Sequence, residues 1–359
     1  MPRAEPGRYD DLLALADVER MLCSGGLRHP AFRLVKTGER LGLGDYATDV
    51  PWRPVSFTGT IDVPSALAAF ARGATIVLQA LHHTHPPLAA FCRSLELELE
   101  QPVQANAYFT PRGSQGLPVH HDTHDVFCLQ VAGRKRWLVY EPALELPLRD
   151  QRYRPELGSP GRPVLDLVLE PGDTLYMPRG WLHEALTSDE DSLHITIGVN
   201  LYTWLDAVRA AVDACADELE FRRSVPADGA RGADLLGALE ARLQPADVAR
   251  RRRSKLVRTR RPVLADGLSE LRASDSLTTE TMLERRPTVL SELEDGALVF
   301  EGKRLRVPTH ALPALRAVAE SERPFRAADL PGELDDDGRL VLLRRLIREG
   351  FVRRSATGG

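Results

Sequence analysis

"VLDLVLEPGDTLYMPRGWLHEAL" occupies residues 164–186. Two short apolar runs flank the turn Pro171-Gly172-Asp173, and Pro178-Arg179-Gly180 closes the second. Runs this short, punctuated by Pro and Gly, read as strands rather than helices. The second run and its loop return the chain to a single histidine, His183. The same texture fills the region from Trp52 to about Asn200, in "ATIVLQAL" (74–81), "QANAYFT" (104–110), "DVFCLQVAG" (125–133), "RWLVYEP" (136–142) and "LHITIGVNLY" (193–202). Many short strands with such turns predict a double-sheeted or barrel-like β domain. One segment inside it, "PPLAAFCRSLELELE" (86–100), predicts a helix covering one face.

Upstream lies "PVHHDTHDVFCLQV" (118–131), with five metal-capable side chains in six residues: His120, His121, Asp122, His124 and Asp125. Read as a strand, it puts His120, Asp122 and His124 on one face and His121 and Asp125 on the other. The three on one face do not suit a single ion. Positions 120 and 124 are roughly 13 Å apart along a strand, whereas metal bonds are near 2 Å. His120 and Asp122 therefore need a third ligand from elsewhere. The loop after "PGDTLYMP" supplies His183, 61 residues beyond Asp122, at the same mouth. Two imidazoles and one carboxylate on one face of an octahedral ion leave open positions, as in non-haem Fe(II) oxygenases.

The 359 residues are enough for two or three units with their own cores. A net charge of −4, with 43% hydrophobic and 27% charged residues, is ordinary for a globular chain and singles out no charged partner. Cys23, Cys92, Cys128 and Cys215 form no CxxC pair, which predicts free thiols rather than a disulfide scaffold or zinc knuckle. No signal-peptide-like apolar core and no run of 18 apolar residues is present, so a cytoplasmic protein away from membranes is expected.

The organisation read from the sequence is a helical, loop-rich lead-in (1–50), the β-rich domain (51–202), a helical region (203–284) and a small α+β module (285–359). The helical region carries an apolar stripe of Leu205, Val208, Val212, Cys215 and Leu219. That stripe suits packing within the chain or a seam between two copies. The basic run "RRRRSKLVRTRR" (250–261) suits a solvated helix end better than an RNA contact, because no aromatic residue interleaves it. Glu333, Asp335, Asp336 and Asp337 surround the turn of a helix-turn-helix-like tail and would repel phosphate, so direct nucleic-acid binding is not expected.

Two blocks, "NAYFTPRGSQGLPVHHDTHDVFCLQVAGRKRWLVYEP" and "LEPGDTLYMPRGWLHEALTSDEDSLHITIGV", resemble the JmjC-type cupin family of ribosomal oxygenases. The resemblance implies an α+β chain: a double-stranded β-helix (the cupin/JmjC jelly roll), a helical dimerisation region and a C-terminal winged-helix-like module. It implies a homodimer and an Fe(II)- and 2-oxoglutarate-dependent protein hydroxylase. Such an enzyme uses O2 to hydroxylate an Arg or His side chain of a ribosomal protein, releasing succinate and CO2. His120, Asp122 and His183 would be its metal ligands and catalytic centre. Lys135, one of only four lysines among 47 basic residues, matches the residue that pairs with the distal carboxylate of 2-oxoglutarate. Asn106 and Tyr108 match polar pocket positions. The chain departs from several relatives at Gly198, where a hydroxyl is often found, and Thr196 on the same face is expected to compensate in part. The alternatives are a cupin-type oxygenase acting on another peptide or small molecule, and a non-catalytic metal-binding regulator.

Overall fold

The computed structural model describes residues 5–24, 26–158, 160–229 and 235–355. The ends of the lead-in and of the C-terminal module (1–4 and 356–359), and positions 230–234 of the helical region, lie outside the described residues. The chain divides into two compact units, one comprising Met1–Glu96 and Gln101–Leu201, the other Leu97–Glu100 and Tyr202–Gly359.

Among its described residues the first unit carries eleven strands: β1 (Phe32–Val35), β2 (Ala47–Trp52), β3 (Val55–Ile61), β4 (Thr75–Leu78), β5 (Val103–Thr110), β6 (Asp125–Ala132), β7 (Lys135–Tyr140), β8 (Leu165–Leu169), β9 (Thr174–Met177), β10 (Leu182–Leu186) and β11 (Ser192–Val199). A six-stranded sheet runs β1-β4-β5-β11-β6-β9, a three-stranded sheet runs β10-β7-β8, and β2 and β3 form a separate hairpin. Every pairing is antiparallel.

Alternation in the central strands decides which face is which. In β11, Leu193, Ile195, Ile197 and Val199 alternate with Ser192, His194, Thr196 and Gly198. In β5, Val103, Ala105, Ala107 and Phe109 alternate with Gln104, Asn106, Tyr108 and Thr110. Because side chains two apart share a face, each strand presents one apolar and one polar surface. The apolar surface meets buried helical residues such as Leu22, Ala66, Ala69, Leu88 and Cys92 in one core. A smaller core of Val126, Cys128, Trp137, Val139, Leu169, Leu175 and Met177 draws on β6 and β9 of one sheet and β7 and β8 of the other. Polar residues of β5 and β11 thus face a space that the apolar core leaves open.

Two features differ from the sequence reading. The lead-in is not only helix and loop: after the helix Leu15–Cys23, β1 pairs with β4 at the sheet edge. The ligand-rich segment is not a continuous strand either, since β6 begins only at Asp125. His120 makes an isolated bridge to His183, through His120 N–H to His183 C=O (3.1 Å) and His183 N–H to His120 C=O (2.8 Å). The chain then leaves the ladder, and the Asp122 carbonyl instead accepts from Gly180 N–H at 3.0 Å.

The link from β6 to β7 is the two-residue turn Gly133-Arg134. Gly133 has φ +62°, and a Cβ there would lie 1.9 Å from the Asp191 carbonyl oxygen. Both backbone strain and overlap oppose any side chain. Gly133→Ala is expected to destabilise the protein by about 2–4 kcal/mol, read as a lowered midpoint in thermal or urea denaturation.

In the second unit, helices including Trp204–Asp213, Leu235–Arg242 and Pro245–Thr259 precede two three-stranded sheets. These sheets share a core with the helices Leu312–Glu320 and Asp336–Arg348. The basic run lies largely on Pro245–Thr259 and is spent within the unit. Arg252 and Arg253 pair with Glu100, Arg258 pairs with Glu294 (2.6 Å), and Lys255 sits over the Tyr202 ring. Of the apolar stripe, Cys215 is buried, whereas Leu205, Val212 and Leu219 are exposed. No helix among the described residues is long and apolar enough to cross a membrane.

Candidate functional site

His120, Asp122 and His183 come together in the first unit, each offering a ligand atom within 4.8 Å of the others. The His183 Nε2 to Asp122 Oδ2 distance is 3.8 Å, and the two imidazole centroids are 4.4 Å apart. The bridge explains this arrangement, because residues directly opposed across antiparallel backbones project side by side.

The orientation of each ring is set from behind. His120 Nδ1 lies 2.8 Å from the Pro118 carbonyl and His183 Nδ1 lies 3.0 Å from the Trp181 carbonyl. A carbonyl only accepts, so both Nδ1 atoms carry the proton and both Nε2 lone pairs point forward. Burial, helped by the neighbouring His120, pushes His183 down to about 4 despite the opposing pull of Asp122. Burial alone would raise the Asp122 carboxyl, but the surrounding imidazoles outweigh it and hold the group below the usual carboxylate range. No described residue donates a hydrogen bond to that carboxylate. Two imidazoles anchored through Nδ1, with Nε2 aimed forward beside a carboxylate that has no donor among the described residues, fit a divalent cation.

The other three candidates in the segment are engaged elsewhere. His121 is buried, with Nε2 donating to the Gln151 carbonyl (3.0 Å) and its ring edge-on to Tyr153. His124 contacts Gln104 Nε2 (3.1 Å) and the Asp125 carbonyl (3.3 Å) through its two ring nitrogens. Asp125 accepts from Tyr176 OH (2.7 Å) and Arg179 N–H (3.1 Å).

Beside the cluster opens a cavity of about 490 Å³, counting its mouth, and Lys135 lies in its wall. The Lys135 side chain is 4% exposed, and Nζ donates to Thr110 Oγ1 at 2.8 Å. No carboxylate among the described residues pairs with it. Burial therefore pulls its pKa down to about 7. A buried ammonium without a counter-ion is costly, and an anionic group entering the cavity would relieve that cost.

Tyr108 and Thr196 also line the cavity, but Asn106 does not, and its Oδ1 accepts from Ala80 N–H (3.0 Å). Burial raises the Tyr108 phenol to about 12, the Asp122 charge adds to this, and the Arg33 charge opposes it. The space above Gly198 is already filled, since a Cβ there would lie 2.9 Å from His124 Cε1. A hydroxyl-bearing residue would displace the His124–Gln104 contact. Gly116 and Leu117, from the loop ahead of His120, close one side of the cavity.

Sequence reasoning passed over Thr110, Trp137 and His194, all of which face the cavity. His194 stacks flat on Tyr108 (5.0 Å, 5°) and meets the Trp137 ring at 5.4 Å and 80°. Burial holds its pKa well below the usual histidine value, and the charge of Lys135 adds to that. Each of the three lies two residues from a named candidate on the same strand (Tyr108, Lys135 or Thr196), so the period-2 rule alone would have found them.

Residues 81–207 match the family model of the JmjC domain. The bifunctional lysine-specific demethylase and histidyl-hydroxylase NO66 of Drosophila persimilis is 42% identical over 135 residues, 37% of this chain and 20% of that protein. Ribosomal oxygenase 1 of Rattus norvegicus is 32% identical over 238 residues, 63% of this chain and 38% of that protein. The chain thus spans less than two fifths of the length of either curated relative. The structure of YcfD, a ribosomal oxygenase from Escherichia coli in complex with cobalt and 2-oxoglutarate, superposes with a TM-score of 0.53 at 20% identity, covering 95% of this chain and 90% of that one.

Proposed function

We propose, from the match of residues 81–207 to the JmjC domain model, that the protein is an Fe(II)- and 2-oxoglutarate-dependent hydroxylase acting on a side chain of a ribosomal protein. The observation that carries this reading is the convergence of His120, Asp122 and His183 beside a cavity whose wall holds an unpaired buried lysine. The names of the curated relatives and the cobalt and 2-oxoglutarate held by the Escherichia coli protein favour the same reading.

In this scheme His120 and His183 offer Nε2 and Asp122 offers a carboxylate oxygen to the metal. When bound with 2-oxoglutarate and O2, iron supplies the oxidation that places one oxygen atom in an aliphatic C–H bond and the other in succinate, with loss of CO2. The chain's own residues position the reactants and exclude water. Lys135, steadied by Thr110, receives the distal carboxylate of the cosubstrate. Tyr108, Thr196 and the aromatic rings of Trp137 and His194 shape the pocket, and Asn106 acts on it through the backbone it holds. The loop carrying Gly116 and Leu117 forms one rim for the acceptor.

The helical region 203–284 is read as the homodimer seam, supported by the exposure of Trp204, Leu205, Val212 and Leu219. Residues 285–359 are read as the winged-helix-like module, and the compartment as the cytoplasm.

The test compares intact masses of ribosomal proteins from cells with and without the gene. One protein is expected to be 16 Da heavier when the gene is present. If every ribosomal protein is unchanged while the purified protein converts 2-oxoglutarate to succinate, the acceptor lies in another class of molecule.

A further inference from the structure

The polar face of the six-stranded sheet does not stop at the cavity. Cross-strand register runs from His194 through Tyr108 and Val77 to Arg33, so all four side chains project from the same face. Phe32 and Leu34 flank Arg33 and point into the core behind the sheet. Arg33 is half-buried, and Nε donates to Gln79 Oε1 at 2.9 Å. Gln79 Nε2 is in turn tied to the Pro30 carbonyl. The guanidinium is thereby held from one side, with its two Nη groups uncommitted among the described residues.

Its charge is also uncompensated. Other arginines of this unit pair with carboxylates: Arg93 with Glu96, Arg134 with Glu190, Arg136 with Asp166. Arg33 has no such partner among the described residues, although it sits close enough to Tyr108 for its charge to act on the phenol. A partly desolvated, pre-oriented guanidinium fork on the same sheet face as Tyr108 of the cavity wall suits bidentate capture of a carboxylate.

We infer that Arg33, steadied by Gln79, is a specificity-determining residue that binds an acidic side chain of the acceptor polypeptide near the residue being hydroxylated. This rests on the protein-hydroxylase reading above and extends it to acceptor recognition. β1 lies two inter-strand spacings from β5, about 10 Å, a distance that roughly three residues of extended chain cover. The acidic residue therefore falls within about five positions of the target.

The test begins with ribosomal proteins from cells lacking the gene, treated with the full chain, iron and 2-oxoglutarate. A 20-residue synthetic peptide is then built around the site that gains 16 Da. Each Asp or Glu within five positions is replaced in turn by Asn or Gln. One of these neutral peptides is expected to raise KM roughly tenfold with the wild-type protein while kcat holds. Arg33→Ala should show the same rise with the parent peptide and no further rise with the neutral one, and Arg33→Lys should restore part of the loss. The wild-type comparison between peptides needs no folded variant.

A target without a nearby acidic residue, equal KM for all peptides, or additive effects of peptide and protein changes would overturn the inference while leaving the hydroxylase reading intact. So would an Arg33 requirement seen only on intact ribosomes, which would point to an RNA phosphate. If no ribosomal protein gains 16 Da, the reading beneath the inference falls and takes the inference with it.

Discussion

His183→Ala is expected to remove turnover, by at least about a thousandfold, together with most of the metal affinity. Residues that merely orient a metal ligand are worth about 10–100-fold in affinity, and His183 would itself be a ligand, so its loss should cost more. His183 is 5% exposed. Cobalt(II) titration followed by absorption, alongside succinate formation, separates the two effects. His121→Ala and His124→Ala serve as controls. His121 Nε2 is committed to the Gln151 carbonyl and both His124 ring nitrogens to Gln104 and Asp125, and neither residue belongs to the converging cluster, so metal stoichiometry should stay near that of the parent protein. Full cobalt binding by His183→Ala, or its loss in both controls, would refute the proposed ligand set.

Lys135→Ala should raise the KM for 2-oxoglutarate about a hundredfold or more, the equivalent of roughly 3 kcal/mol for an ionic contact made in a buried site. A pH signature accompanies it. Burial lowers the pKa of this lysine from its usual 10.5 to about 7 in the empty cavity. An arriving carboxylate favours the charged ammonium and raises the pKa again. Above pH 7 binding must therefore take up a proton, and the apparent affinity should fall towards tenfold per pH unit until the bound-state pKa is reached. The same shift acts on folding with a fixed sign. Between about pH 7 and 10.5 the unfolded lysine holds a proton that the folded one has lost, so stability rises with pH across that window and the full penalty for the buried charge applies below it. Calorimetric titration of 2-oxoglutarate at pH 7, 8 and 9, in two buffers of different ionisation enthalpy, measures the uptake. Arg in place of Lys135 stays charged throughout and should flatten the profile. A flat profile for the parent protein would refute the role given to Lys135.

The sequence carried the alternation of β5 and β11 openly, because apolar and polar residues there take strict turns and only one face can be dry. It was poorest where a pairing partner supplies the geometry. Phe32–Val35 is four residues long with an arginine inside it, too short to announce a strand. It becomes one by pairing with β4, which also decides that Arg33 shares the sheet face of Tyr108 and His194. The segment from His120 to His124 read as a strand because its side chains alternate, yet only His120 is bridged. The bridging residue is 63 positions away, and no local pattern encodes that contact. Asn106 shares strand parity with Tyr108 but reaches the Ala80 backbone instead of the cavity, a distinction that parity cannot make.

The backbone bridge holds the imidazoles of His120 and His183 side by side through main-chain hydrogen bonds in which no proposed ligand atom takes part. Such a receptor does not depend on its cargo to fold, so a chelator should empty it without unravelling it, and refilling should be quick. A rigid seat of two nitrogens and one oxygen also has little means of refusing competitors. Copper and zinc outrank ferrous iron on donors of this kind. On the proposed reading, the metal held is decided by what the surrounding cell keeps in free supply, and protein produced in a zinc-rich medium is expected to emerge loaded with zinc.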